Sequence, residues 1–149
     1  METDLASQQP RRGHLRSLRP RERALVSLEG FISICGVAGG LYMMNKPMTV
    51  MDLQHLDGTW FHTWRWPGLL LFLFVGVGPL MVVIATLVRL PVAGLGHLCV
   101  GAGLVTWILV QAMWIVIAPP LQVTVALIGL TILFLGIRDK RDRGRAVGA

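Results

Sequence analysis

Hydrophobic residues occur along this 149-residue chain in four long runs that are separated by short polar segments. Each run has roughly the 20 residues that an α-helix needs to cross the hydrocarbon core of a bilayer. The runs cover about residues 24–44, 68–88, 92–118 and 121–137. We therefore predict an all-α membrane protein with a four-helix transmembrane bundle at 20–137, a basic tail at 1–19 and a second basic tail at 138–149.

The polar connections predict how the helices are joined. The turns at 89–91 and 118–120 are short, so each should join antiparallel neighbours. The longer connection at about 45–66 has apolar residues at helical spacing and ends in a tryptophan-rich stretch, which predicts an amphipathic helix on the outer leaflet. Gly58 leaves a turn within this loop as an alternative. The aromatic residues expected at the head-group level are Trp60, Phe61, Trp64 and Trp66.

The first three runs contain residues that affect helix packing. Pro79 lies mid-run after two glycines and predicts a kink, because proline removes one backbone hydrogen bond and clashes with the preceding turn. Small residues in the first and third runs predict surfaces on which helices approach closely in lipid. These residues are Ser33, Gly36, Gly40, Gly96 and Gly103.

Composition and charge agree with a membrane protein and predict its orientation. The mean hydropathy is +0.63 and only 15% of the residues are charged, which lies outside the range of soluble globular domains. Of the 14 Lys and Arg residues, all but Lys46 and Arg65 fall on one side of the predicted bundle. Positive charge marks the cytoplasmic side, so we predict that both termini are cytoplasmic.

The basic flanks indicate membrane lipids as partners and argue against nucleic acid, because charge beside a span typically holds anionic head groups. The residues expected to contact head groups are Arg12, Arg16, Arg19, Arg23, Arg138 and Arg141. Cys35 and Cys99 lie within apolar runs, which predicts buried, unreactive thiols rather than a disulfide.

Two ionisable residues fall inside the apolar runs, where such groups are costly and invite a functional hypothesis. Glu29 and His97 lie at similar depths from the basic side of the first and third helices, so their side chains could meet. Two interpretations stay open, a proton-linked or cation-binding site and a polar pair that fixes helix packing.

A second set of polar and aromatic residues occupies one face of the third helix. Trp107, Gln111 and Trp114 follow the spacing i, i+4, i+7, and Gln122 lies near the start of the fourth helix. This face could bind an amphipathic or lipid-like ligand, or it could pack helices through an amide hydrogen bond. No catalytic, cofactor or metal motif accompanies it, so we predict no enzyme activity, no cofactor and no metal.

Three segments resemble a group of small bacterial four-helix membrane proteins, frequent in actinobacteria, with no known activity. The segments are GLLLFLFVGVGP at 68–79, GLVTWILVQ at 103–111 and PLQVTVALIG at 120–129. The resemblance implies the four-helix fold and a location in the plasma (inner) membrane of a bacterium, and it implies no activity. An acidic residue often stands at the place of Gln111 in that group, so the amide here argues against a proton-carrying role at this position.

The function expected from these features is that of an accessory or scaffolding subunit, which associates with itself or with a larger membrane complex. One alternative is a small proton-coupled transporter that uses Glu29, for which a carboxylate near the midplane would be expected. The other is a protein that binds a lipid or another amphipathic ligand, for which an open lateral groove beside Trp107 would be expected.

Overall fold

The computed structural model describes residues 18–46, 56–57, 60–114 and 119–147. Within these ranges the regular structure is helical, and four helices are long and apolar enough to cross a membrane. They are α1 (Pro20–Asn45), α2 (Arg65–Leu87), α3 (Ala93–Trp114) and α4 (Pro119–Val147). For the described residues, the prediction of an all-α fold with four helices long and apolar enough to cross a membrane is confirmed. Helix α4 continues beyond the apolar run through most of the predicted basic tail at 138–149.

One end of the bundle gathers most of the described basic residues. Arg21 at the start of α1 forms an ion pair with Asp142 near the end of α4. Arg19 and Glu22 line a cavity together with Arg89, which lies in the turn between α2 and α3. The start of α1, this turn and the end of α4 are therefore neighbours, and we call this side of the molecule the basic end.

Helices α1 and α2 pack with their backbones in close approach. A Cβ atom added at Gly36 would lie 2.5 Å from the carbonyl carbon of Val75. A Cβ atom added at Gly40 would lie 2.7 Å from the carbonyl oxygen of Gly68. A larger side chain at either glycine would therefore separate the helices, and the small residues predicted on α1 form its contact with α2.

The middle of α2 departs from α-helical geometry. The segment Leu71–Val77 is π-helical and ends just before Pro79. Proline has no N–H, so the carbonyl one turn earlier loses its α-helical donor, and a wider turn redistributes the hydrogen bonds. The hydroxyl of Ser33 on α1 donates to the Gly76 carbonyl at 2.7 Å and satisfies one acceptor in this segment. The irregularity predicted from proline is thus a π-helical segment braced by α1.

Helices α2 and α3 contact each other mainly near the turn that joins them. The contact comes from the last part of α2, Gly78–Leu87, where a Cβ atom added at Gly96 would lie 2.9 Å from Val82 Cγ2. Farther from the turn, α2 packs along α1, whereas α3 packs along α4. Helices α2 and α3 are therefore neighbours at the predicted short turn, and the two helix pairs diverge beyond it.

About half of the loop for which we predict an interfacial helix, residues 47–55 and 58–59, lies outside the described residues. Residues 60–64 form bends and a turn that lead directly into α2. Trp60 is 90% exposed and Trp66 is also exposed. Trp64 differs, because its side chain is only 1% exposed and packs inside the protein.

Candidate functional site

A buried polar cluster links α1, α2 and α3 near the basic end. His97 Nδ1 lies 2.8 Å from Glu29 Oε1, and His97 Nε2 lies 3.1 Å from Thr86 Oγ1. The side chains of Glu29 and His97 are both fully buried. The structure therefore brings together the two ionisable residues that the sequence places at similar depths, and it adds Thr86 as a third member.

The hydrogen-bond directions indicate how many protons the cluster holds. Thr86 Oγ1 donates to the carbonyl oxygen of Val82 at 2.8 Å, so its oxygen is left to accept from His97 Nε2–H. A neutral imidazole has one donor and one acceptor, so Nδ1 then needs a proton from Glu29. If Nδ1 carries a proton as well, the ring is charged and Glu29 is a carboxylate. In either case one proton lies between Glu29 Oε1 and His97 Nδ1.

Glu29 leaves half of its hydrogen-bonding capacity unused. Among the described residues, its Oε2 atom is buried and has no hydrogen-bond partner. An unpaired buried oxygen is costly, and the cost is greatest when the group is charged. The cluster therefore depends on its shared proton, because loss of that proton would leave a buried carboxylate facing a ring acceptor.

A cavity of about 270 Å³ lies between Thr86 and the basic end. Arg19 and Glu22 from the start of α1 and Arg89 from the following turn line it. Arg89 has a φ angle of 60°, a left-handed conformation that a non-glycine residue adopts at some cost in a tight turn. Polar side chains thus continue from the buried cluster toward the surface at the basic end.

A second feature is an apolar groove between α2 and α3. It has a volume of about 800 Å³ and lies where the two helices diverge. Leu73 and Phe74 of α2 form one wall, and Cys99, Gly103 and Trp107 of α3 form the other. Gly103 is exposed, and a Cβ atom added there would meet nothing within 4 Å. The groove is therefore open along a surface of small α3 residues.

The residues predicted as a ligand or helix-packing face are only partly associated with this groove. Trp107 is half-buried, lines the groove and also packs against the core. Gln111 and Gln122 are half-buried, and Gln111 lies outside the described wall of the groove. The side chain of Trp114 lies outside the described residues. An open lateral groove is present, as the ligand-binding alternative requires, but its described wall includes Trp107 and not Gln111.

Four of the six arginines predicted to contact lipid head groups are described, and all four are exposed at the basic end. They are Arg19, Arg23, Arg138 and Arg141. Two of them, Arg138 and Arg141, line a shallow cavity of about 250 Å³ with Arg21 and Asp142. Arg12 and Arg16 lie outside the described residues.

The prediction of buried cysteines is wrong. Cys35 on α1 and Cys99 in the α2–α3 groove are both free and exposed. An apolar side chain in a membrane helix can face lipid as readily as protein, so the apolar sequence around a cysteine does not show that it is buried.

Sequence reasoning missed Thr86, whose hydroxyl completes the cluster. The available signal is depth, because Thr86 precedes Arg89 by three residues and so lies near the basic end of α2, at the level of His97.

Comparisons of this chain with protein-family models, with curated proteins and with solved structures find no match.

Proposed function

We propose that the protein is a non-enzymatic accessory or scaffolding subunit whose α2–α3 groove receives a transmembrane helix of another subunit. The observation that carries this proposal is the separation of α2 and α3. Helices joined by a turn of a few residues normally pack along their length. Here they contact mainly near the turn and leave a groove of about 800 Å³. A further helix would complete the bundle.

The dimensions and composition of the groove fit a helix. Its wall extends from Leu70 to Val82 on α2 and from Gly96 to Val110 on α3, which corresponds to about 20 Å at 1.5 Å per residue. Small residues let helix backbones approach closely in lipid, and Gly103 leaves such a surface unoccupied. Small-molecule sites usually contain a small number of precisely placed polar groups that orient the ligand, whereas no charged or amide side chain is among the described residues that line this groove.

We further propose that the protein lies in the inner membrane of a bacterium with both termini in the cytoplasm. The bacterial origin rests on the resemblance of the sequence to small bacterial membrane proteins. The orientation is supported by the concentration of arginine at the basic end, since positive charge is retained on the cytoplasmic side. The exposed Trp60 and Trp66 near the start of α2 suit an outer loop that lies on the opposite leaflet.

The two native cysteines provide a matched test of the groove. Cys99 lines it, whereas Cys35 is exposed on α1. Single-cysteine variants, Cys35→Ser and Cys99→Ser, would be labelled in native membranes with a photoreactive maleimide and then illuminated. We expect the label at Cys99 to form one discrete protein adduct, with mass spectrometry identifying either a second copy or another membrane protein. The label at Cys35 should give no such adduct.

Crosslinking only to lipid at Cys99 would contradict the proposal. It would favour the interpretation that the groove binds a lipid or another amphipathic molecule. Equal protein adducts from both positions would also contradict it, because they would indicate random collisions in the membrane.

A second candidate function, a small proton-coupled transporter, is favoured by the proton shared between Glu29 and His97 and by the cavity beside Thr86. Position weighs against it, because Thr86 lies one residue from the end of α2 and His97 lies four residues from the start of α3. Proteoliposomes with an internal pH dye would test it. Substrate-driven proton flux that is lost in Glu29→Gln would support transport, and equal flux in this variant and in the parent protein would exclude this mechanism.

A further inference from the structure

An exposed apolar stripe on α4 leads to the arginines of the basic end. Its members recur at intervals of three and four residues, so they share one face of the helix. They are Leu127, Leu130, Phe134 and Ile137, each at least 38% exposed. Arg141 continues the same spacing by one more turn. A molecule lying along this face would meet hydrocarbon side chains first and then positive charge.

Three guanidinium groups from two helices meet at the charged end of the stripe. Arg21 of α1 and Arg138 and Arg141 of α4 line a cavity of about 250 Å³, together with Asp142. Asp142 forms an ion pair with Arg21 and supplies one negative charge against three positive ones. Guanidinium groups present several donors in a planar array that matches phosphate oxygens. An anion in this cavity would reduce the repulsion among the arginines.

A contact between Arg138 and Phe134 connects the charged cavity to the stripe. The Arg138 guanidinium carbon lies 4.4 Å from the centre of the Phe134 ring, within the range of a cation–π interaction. This contact holds the positive group directly above the apolar side chains. The arrangement is complementary to a phospholipid, because positive groups lie where its phosphate would bind and apolar side chains lie along the helix where its acyl chain would bind.

We propose that the cavity of Arg21, Arg138 and Arg141 binds the phosphate of an anionic phospholipid while an acyl chain of that lipid lies along the α4 stripe. The site is distinct from the α2–α3 groove, so it does not depend on the proposed partner helix. A free phosphate ion would satisfy the arginines but would gain nothing from the exposed leucine, phenylalanine and isoleucine side chains. The stripe is therefore the reason to choose a lipid as the ligand.

The test uses the full-length protein in phosphatidylcholine nanodiscs that contain a small fraction of phosphatidylglycerol. Bound lipids would be counted by native mass spectrometry after release from the disc. Arg138→Gln and Arg141→Gln remove charge from the site, and Arg65→Gln is the matched control because Arg65 lies at the opposite end of the bundle. We expect each site variant to retain phosphatidylglycerol about fivefold more weakly, and Arg65→Gln to retain it like the parent protein.

A competition experiment distinguishes the two sources of phosphate. An excess of inorganic phosphate should leave the retained phosphatidylglycerol unchanged if the acyl chain contributes to binding. Displacement of the lipid by inorganic phosphate would overturn the proposal in favour of a soluble anion site. Equal loss of lipid in Arg65→Gln and in the two site variants would overturn it as well, because it would indicate general attraction to a charged bilayer. Circular dichroism would verify that each exposed-site variant is folded.

Discussion

Replacement of His97 by alanine should destabilise the bundle more than its small change in volume suggests. His97 is fully buried and is the residue that joins Glu29 on α1 to Thr86 on α2. Without the imidazole, Glu29 Oε1 loses its hydrogen bond with His97 Nδ1, and Oε2 has no partner among the described residues. The variant therefore leaves a buried carboxyl group with both oxygens unsatisfied.

The expected loss can be bounded from both sides. Removal of one partner from a buried ion pair costs about 3–5 kcal/mol in soluble proteins, because an uncompensated charge remains. Hydrogen bonds between membrane helices contribute only about 0.6 kcal/mol on average. Two such bonds are lost here, and Glu29 can avoid the full penalty by staying protonated. We expect a loss of about 2 kcal/mol, which is roughly a 30-fold change in the folding equilibrium.

Reversible unfolding in mild detergent, followed by circular dichroism, would measure this loss. Glu29→Gln combined with His97→Ala provides the critical comparison, because the amide cannot become charged. The double variant should be more stable than His97→Ala alone. A free energy of unfolding for His97→Ala within about 0.5 kcal/mol of the parent protein would refute the role of the cluster in joining the helices.

Two further predictions concern the contact between α1 and α2. Gly36→Val should lower the free energy of unfolding by about 1–3 kcal/mol, because the valine side chain would overlap the α2 backbone. Gly103→Val should leave the free energy of unfolding nearly unchanged, because the space beside Gly103 is open. Thermal unfolding of the two variants in the same detergent checks this prediction, and equal losses would contradict it. Ser33→Ala should cost about 1 kcal/mol, because the Gly76 carbonyl loses its donor. Hydrogen exchange should then increase in the π-helical segment, and unchanged exchange there would show that Ser33 does not brace it.

The sequence predicts much of the fold because a bilayer imposes strict lengths on apolar helices. Each run ends within a few residues of the corresponding helix end, except that α4 continues well beyond the fourth run to Val147. The meeting of Glu29 and His97 follows from the same constraint, since residues at equal depth on packed antiparallel helices can touch. In these cases helix geometry alone carries the prediction.

Other features depend on contacts that one helix cannot reveal. Pro79 predicts an irregularity in α2, but the donor from Ser33 that accompanies the π-helical segment comes from another helix. Cys35 and Cys99 are exposed because of how α1 and α3 are rotated about their axes, and uniformly apolar runs do not encode that rotation clearly. The divergence of α2 and α3 likewise follows from their separate packing against α1 and α4.

The most direct test of the central claim is native mass spectrometry of the protein extracted from its own membrane in nanodiscs, with Gly103→Leu as the comparison. The proposal predicts a discrete complex, either with a second copy or with a larger membrane protein, that is lost when leucine fills the groove. The folded protein alone should tolerate this change, because the space beside Gly103 is open. A monomer that carries only lipid in both forms would contradict the account.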